Sequence, residues 1–156
     1  MTTVLILTTD QLTSTHIDDI ISLKSCFWDF DYDSQIRWFR KYIRSVDEHL
    51  LTYYDDQLIG YCVLRNLDTY SILDTVIVHP KHRGQGLGKQ IVSNICLHKT
   101  LPIFLLCEGK NVHFYHCNNF EICKNVSFQD KEVADNLIIM GRNHTSDLNM
   151  SIDYYG

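Results

Sequence analysis

One stretch constrains the fold of this chain more than any other, Leu73 to Lys89, LDTVIVHPKHRGQGLGK. Val76, Ile77 and Val78 are β-branched, and such a run favours a strand covered on both faces. Pro80 has no N–H to give to a sheet ladder, so the strand is expected to stop before it. Gly84, Gly86 and Gly88 follow at alternate positions. Lacking Cβ atoms, they let a backbone turn tightly and bring its N–H groups against a ligand. Beyond them Leu87, Ile91, Val92, Ile95 and Cys96 recur at helical spacing, predicting a helix that runs to about His98. A helix N-terminus carries unpaired N–H groups and partial positive charge, which suits an anion such as a phosphate. Lys81, His82, Arg83 and Lys89 add positive charge around the same point.

Three glycine-loop chemistries compete for this turn. A nucleotide P-loop needs glycine, four residues, then Gly-Lys-Ser/Thr. Arg83 stands where the first glycine would be, and Gln90 follows Lys89. A dinucleotide fingerprint needs Gly-x-Gly-x-x-Gly and an acidic residue about twenty positions on. Here the third glycine comes one residue early and no such acid follows. The third pattern, Arg/Gln-x-x-Gly-x-Gly/Ala after a strand and a short basic turn, is met in full by Arg83 to Gly88. It resembles the acyl-CoA-binding motif of the GNAT superfamily of N-acetyltransferases.

A second constellation, Leu105 to Phe120, resembles the other GNAT signature: a strand, a turn with asparagine, then a helix carrying Phe-Tyr. Asn111, Phe114, Tyr115 and Phe120 fall in matching positions. Asn119 replaces the usual glycine before Phe120, and asparagine tolerates the left-handed region where such a helix ends. Within the superfamily the motifs are most similar to those of glucosamine-6-phosphate N-acetyltransferases. Gly84, Leu87, Gly88, Lys89, Cys107, Asn111, Val112, Phe114 and Tyr115 match that pattern. Asp74 and Thr75 stand where it has Glu and Asp, and Leu106 replaces its acid before the cysteine. The Cys107-Glu108 ending also looks like that of arylalkylamine acetyltransferases.

The rest of the chain is read from pattern alone. Thr3 to Thr8 predicts a strand, and Ser14 or Thr15 can cap a helix through Ile17, Ile20, Ile21 and Leu23 toward Phe27. Phe27 to Asp33 alternates aromatics with aspartates. It reads either as a solvated acidic loop whose aromatics anchor on the core or as one wall of a cleft. Ser34 is expected to cap a second helix with Ile36, Phe39, Arg40 and Ile43 on one face. His49 to Tyr54 and Gln57 to Leu64 form an antiparallel hairpin around Asp55-Asp56. The strand ending at Val78 and a buried strand Ile103 to Cys107, joined by a helix, predict a parallel pair. Asn111 to Cys117 should be helical, and Phe120 to Phe128 and Leu137 to Met140 should be two further strands.

At 156 residues the chain is expected to be a single domain over 1–156. A formal net charge of −5 argues against a nucleic-acid binder. The six cysteines form no Cys-x-x-Cys pair, which argues against a zinc site. Three of them sit in apolar runs, which suits a reducing, cytoplasmic setting. Met1 to Leu7 lacks a basic segment and no run reaches transmembrane length, so neither a signal peptide nor a membrane partner is expected. Asn-x-Ser/Thr triplets begin at Asn125, Asn143 and Asn149.

The resemblance implies an α/β GNAT acyl-CoA N-acyltransferase fold, a six- or seven-stranded mixed sheet with about four helices. It implies acetyl transfer from acetyl-CoA to a small-molecule primary amine, with glucosamine 6-phosphate foremost. A polyamine, an arylalkylamine, a protein lysine, or non-catalytic acyl-CoA binding are the alternatives. It places the cofactor on Val76, Ile77, Val78, on Arg83, Gly84, Gln85, Gly86, Leu87, Gly88, Lys89, and on Asn111, Phe114 and Tyr115. It makes Tyr115 the general acid and Asp74 the candidate base, and puts Asp74, Thr75, Glu108 and Arg142 toward the acceptor. Homodimers are common in the family.

Overall fold

The structure, a computed structural model, describes residues 1–144, 147 and 149–156. The triplet at Asn143 therefore runs into Thr145, outside the described residues. The chain divides into two compact units, Met1–Arg65 with Thr75–Leu97, and Asn66–Asp74 with His98–Gly156.

The first unit holds β1 (Thr2–Thr8), α1 (Ser14–Lys24), α2 (Tyr32–Tyr42), β2 (Glu48–Tyr54), β3 (Gln57–Asn66, but for its last residue), the second half of β4 (Ser71–Val78) and α3 (Leu87–Cys96). β1 pairs antiparallel with β2, and β2 with β3. The β2–β3 hairpin turns on Asp55 and Asp56, both left-handed at φ 47° and 64°. Two such residues in a two-residue loop match the right-handed twist of the strands they join.

Successive strand residues face opposite sides of a sheet, and β3 uses both. Tyr61 and Val63 enter a core with Ile20 and Leu23 of α1, Leu51 and Ile77, against which Trp38 and Phe39 of α2 pack. Gly60 lies on the other side, where a Cβ would come within 2.5 Å of Ile91 Cδ1 of α3. Helices therefore cover both faces of this part of the sheet, and the missing side chain at Gly60 is what lets α3 lie close.

The second unit holds the first half of β4, β5 (Ile103–Glu108), α4 (Val112–His116), β6 (Glu121–Ile122), β7 (Val126–Phe128), β8 (Leu137–Arg142) and β9 (Met150–Ile152). β4 and β5 are parallel, as expected, with Ser71 opposite Ile103 and Ile72 opposite Phe104. β8 pairs antiparallel with β5 and with β6. The strand order is β1-β2-β3-β4-β5-β8-β6, a seven-stranded mixed sheet, with β7 and β9 forming a separate parallel pair. Ile72, Phe104, Val126, Phe128 and Tyr154 form the core of this unit. Asp130 accepts hydrogen bonds from the N–H groups of Tyr154 (2.6 Å) and Tyr155 (2.9 Å), which fastens residues 153–155 to it.

Several boundaries differ from the sequence expectation. α1 is capped by Thr13, whose side chain accepts from His16 N, and not by Ser14 or Thr15, which lie in its first turn. α2 begins at Tyr32 under Asp31; Ser34 supplies the N–H that Asp31 accepts, at 2.6 Å. The stretch Phe120 to Phe128 is two short strands broken at Cys123–Asn125, and β9 was not foreseen. α3 stops at Cys96, before His98.

Candidate active site

In the first unit β4 ends at Val78, one residue and a short 3-10 turn (Pro80–His82) before Arg83. His79 Nδ1 accepts from Lys81 N at 3.1 Å, which shapes this turn. Val76 and Val78 are half-buried and Ile77 is in the core. Arg83, Gly84, Gln85 and Gly86 are all exposed. Gly84 (φ 76°) and Gly86 (φ 78°) are left-handed, and a Cβ at either would meet nothing within 4 Å. Gly86 is the N-cap of α3, and no side chain caps the helix there. The N–H groups of the first turn, those of Leu87, Gly88 and Lys89, thus begin a ten-residue helix at a surface open to solvent. Left-handed turns of this kind make backbone concavities that bind anions. The turn fits the pyrophosphate of an acyl-CoA: room for the group, amides toward it, and Lys81, Arg83 and Lys89 exposed beside it. The Arg83 guanidinium lies 4.9 Å over the Phe27 ring, a cation–π contact to the α1–α2 loop.

Thr75 carries a feature with no signal in the sequence, φ of 53° inside β4. A β-branched residue in the left-handed region is strained, and such strain persists only where the surroundings hold it. It breaks the regular alternation of the strand at its fifth residue. Thr75 also lines a cavity of 170 Å³ with Lys24, Trp28, Phe30, Gln35 and Trp38. Trp28 and Phe30 of the stretch after α1 therefore line a cavity, while Phe27 packs on the core and Asp29, Asp31 and Asp33 are exposed, so each of the two readings of its alternation holds for part of it. Trp28 and Phe30 stack at 6.4 Å and 19°, and Lys24 Nζ lies 4.5 Å over the Trp38 ring. The pattern of Phe27 to Asp33 could signal the first two rings, whereas Lys24, Gln35 and Trp38 look like ordinary helix residues and carry no such mark.

In the second unit Asp74 is half-buried at the end of that unit's share of β4. Cys107 is buried, with its thiol 3.6 Å from Met140 Sδ, and burial pushes its pKa up. Glu108 is exposed and pairs with Lys110 at 3.4 Å. Asn111, at the N-cap position of α4, is exposed. The rings of Phe114 and Tyr115 meet edge to face at 4.9 Å, and those of Tyr115 and Phe120 at 5.9 Å. Asn119 is left-handed at φ 67°, so α4 ends as its sequence implies. Arg142 Nη1 donates to the Asn118 carbonyl at 3.0 Å. The structure thus brings Phe114, Tyr115 and Phe120 together and ties Arg142 to the end of α4, while the glycine turn belongs to the other unit.

Comparison with known proteins follows the same lines. Residues 46–122 match the family described as Acetyltransferase (GNAT) domain. No curated protein sequence matches the chain. Among solved structures, Escherichia coli ElaA is similar at 20% identity with a TM-score of 0.69, over 91% of this chain and 99% of that one. An acyl-CoA N-acyltransferase from Pseudomonas aeruginosa is similar at 18% identity and TM-score 0.72, with the same coverage. The PaiA N-acetyltransferase of Thermoplasma acidophilum, in complex with coenzyme A, is similar at 16% and 0.59, again over 91% and 99%. With its parallel β4–β5 pair, its seven-stranded mixed sheet and its glycine turn into α3, the chain has the fold of the GNAT acetyltransferases.

Proposed function

We propose that this protein, over residues 1–156, is an acetyl-CoA-dependent N-acetyltransferase acting on a primary amine. The observation that carries the reading is the uncapped, solvent-open start of α3 behind left-handed Gly84 and Gly86. Bound acetyl-CoA supplies an activated acetyl thioester, whose C–S bond breaks as the C–N bond to the amine forms. The amides from Gln85 to Lys89 hold the pyrophosphate, with Arg83 and Lys89 adding charge. Val76, Ile77 and Val78 offer backbone to the pantetheine arm as an added strand would. The left-handed φ of Thr75 interrupts regular strand geometry just before Val76, which supports a role for the Val76 N–H in polarising the thioester carbonyl. Asp74 takes the proton of the incoming ammonium, directly or through water, the Tyr115 hydroxyl gives one to the departing sulfur, and the second proton shed by the acetylated nitrogen restores Tyr115 through solvent. Asn111 and Phe114 complete the cofactor's surroundings.

The two motifs bring forward glucosamine 6-phosphate, with Thr75, Glu108 and Arg142 toward the acceptor, and the Cys107-Glu108 ending keeps an arylalkylamine as its rival. The chain is proposed to work in the cytoplasm, where acetyl-CoA and free thiols coexist, and to form a homodimer. Among the described residues no helix is long and apolar enough to cross a membrane. The test is Gly86→Asp, which puts a side chain and a negative charge where the pyrophosphate is to sit. Calorimetry should show acetyl-CoA binding in the parent and none in the folded variant. Equal affinity in both would remove the site.

A further inference from the structure

We infer that the cavity between α1, α2 and Thr75 is the seat of the acceptor's apolar body, and that the acceptor is an amine carrying an aryl or similarly compact apolar group. The inference rests on the acetyl-transfer reading above, because that reading puts the reacting carbonyl at the second half of β4, where Thr75 forms one side of the cavity.

The size decides what fits. The cavity opens to solvent, and its 170 Å³ seats about one six-membered ring, since an enclosed apolar cavity of about 150 Å³ holds benzene, while the rest of the acceptor extends outward. The wall decides what is held. Trp28, Phe30 and Trp38 present three aromatic rings within one small space, and aromatic pairs gain from offset and edge-to-face contact beyond the area they bury. Two of these rings are already stacked with each other, and Phe27, next in sequence to Trp28, is held under the Arg83 guanidinium. The wall is therefore built before any acceptor arrives. A preformed apolar pocket of this kind fixes an orientation while a few polar groups choose the ligand.

The charge of the site points the same way. Lys24 is buried, 5% exposed, with its ammonium over the Trp38 ring. The polar side chains of the wall, those of Gln35 and Thr75 beside Lys24, are few for a phosphorylated sugar with a hydroxyl on nearly every carbon. A neutral ring satisfies the wall with none of them. Asp29, exposed between the two stacked residues, and Asp33 in the first turn of α2 leave negative charge outside the ring seat, which draws a protonated amine toward the cavity.

The chain has two tryptophans, and both line this cavity, so their emission reports occupancy without any turnover. The experiment titrates the protein, saturated with CoA, with 2-phenylethylamine, glucosamine 6-phosphate and spermidine in turn. The expected result is a saturable change in emission with the aryl amine, at an apparent Kd at least about tenfold below the other two. Trp28→Ala, read through Trp38, should weaken the aryl amine by about tenfold or more while the melting temperature holds, since Trp28 is 47% exposed. No saturable change with the aryl amine, tighter binding of the sugar phosphate or spermidine, or an unchanged Kd in the variant each overturns the inference. Saturable aryl binding without CoA release when acetyl-CoA is supplied overturns the acetyl-transfer reading and leaves the cavity assignment standing.

Discussion

Tyr115 separates chemistry from packing within one side chain. Its ring is held edge to face between Phe114 and Phe120, and phenylalanine keeps both contacts while removing the hydroxyl. Tyr115→Phe should leave the melting temperature and acetyl-CoA affinity unchanged and lower kcat by roughly 10- to 10³-fold, about 1.4–4 kcal/mol in the barrier. A preserved kcat with a lowered melting temperature would make Tyr115 a core aromatic. At this scale the sequence was legible wherever a residue type has few uses. Asn119 announces a left-handed helix end because asparagine is at ease there, and the backbone agrees at φ 67°. Thr75 announces nothing. In LDTVIV it reads as one more β-branched strand residue, and its left-handed φ of 53° is imposed by its surroundings against its own preference. Tertiary imposition of this kind has no local signature.

At the level of elements, α3 is positioned by an absence. Gly60→Ala would drive a methyl to within 2.5 Å of Ile91 Cδ1, the tip of a buried side chain that must shift, at a cost of up to about the 1–3 kcal/mol of an overpacked core. Urea unfolding should register that loss. Because α3 carries the glycine turn at its start, acetyl-CoA affinity should fall with it; unchanged stability and affinity would mean that Ile91 turns aside freely. The helix starts show how far pattern goes. Asp31, Asp33 and Ser34 are all competent caps, and the sequence offers no ranking among them. The structure uses Asp31 as acceptor and Ser34 N as donor, whereas the sequence reading makes Ser34 the cap. Thr13, one residue before the expected Ser14 or Thr15, caps α1. β9 has three residues, and a strand that short lacks the alternation that identifies one. The aromatic loop reads as two options, and the structure divides it between them, Phe27 on the core and Trp28 with Phe30 on the cavity that Trp38 of the next helix completes.

For the molecule as a whole, His49 sets a limit in acid. It is fully buried, with Nδ1 2.7 Å from the Tyr61 hydroxyl and Nε2 2.9 Å from Thr9 Oγ1. Burial, and then the charge of Lys24, lowers its pKa from 6.5 to about 3. Between those values the unfolded chain binds a proton that the folded one refuses, so stability is full above pH 6.5 and falls as pH falls. The loss should approach about 1.4 kcal/mol per pH unit, roughly 2 kcal/mol by pH 5. Urea midpoints at pH 7 and pH 5 should show it in the parent and show a smaller difference in His49→Gln. Equal slopes would mean that His49 titrates normally. The division of the chain has a further consequence, in time. Every residue of the first unit has been made once Leu97 is added, with the glycine turn and the aromatic cavity among them. The second core waits for Tyr154. At about 5–20 residues per second the ribosome takes roughly 3–12 s to go from Leu97 to Tyr154, so the first unit is complete in sequence, and leaves the exit tunnel, before the second. Protease pulses on chains stalled far enough past Phe104 for it to have left the exit tunnel should find Ile20 and Leu51 protected while Phe104 is still cut.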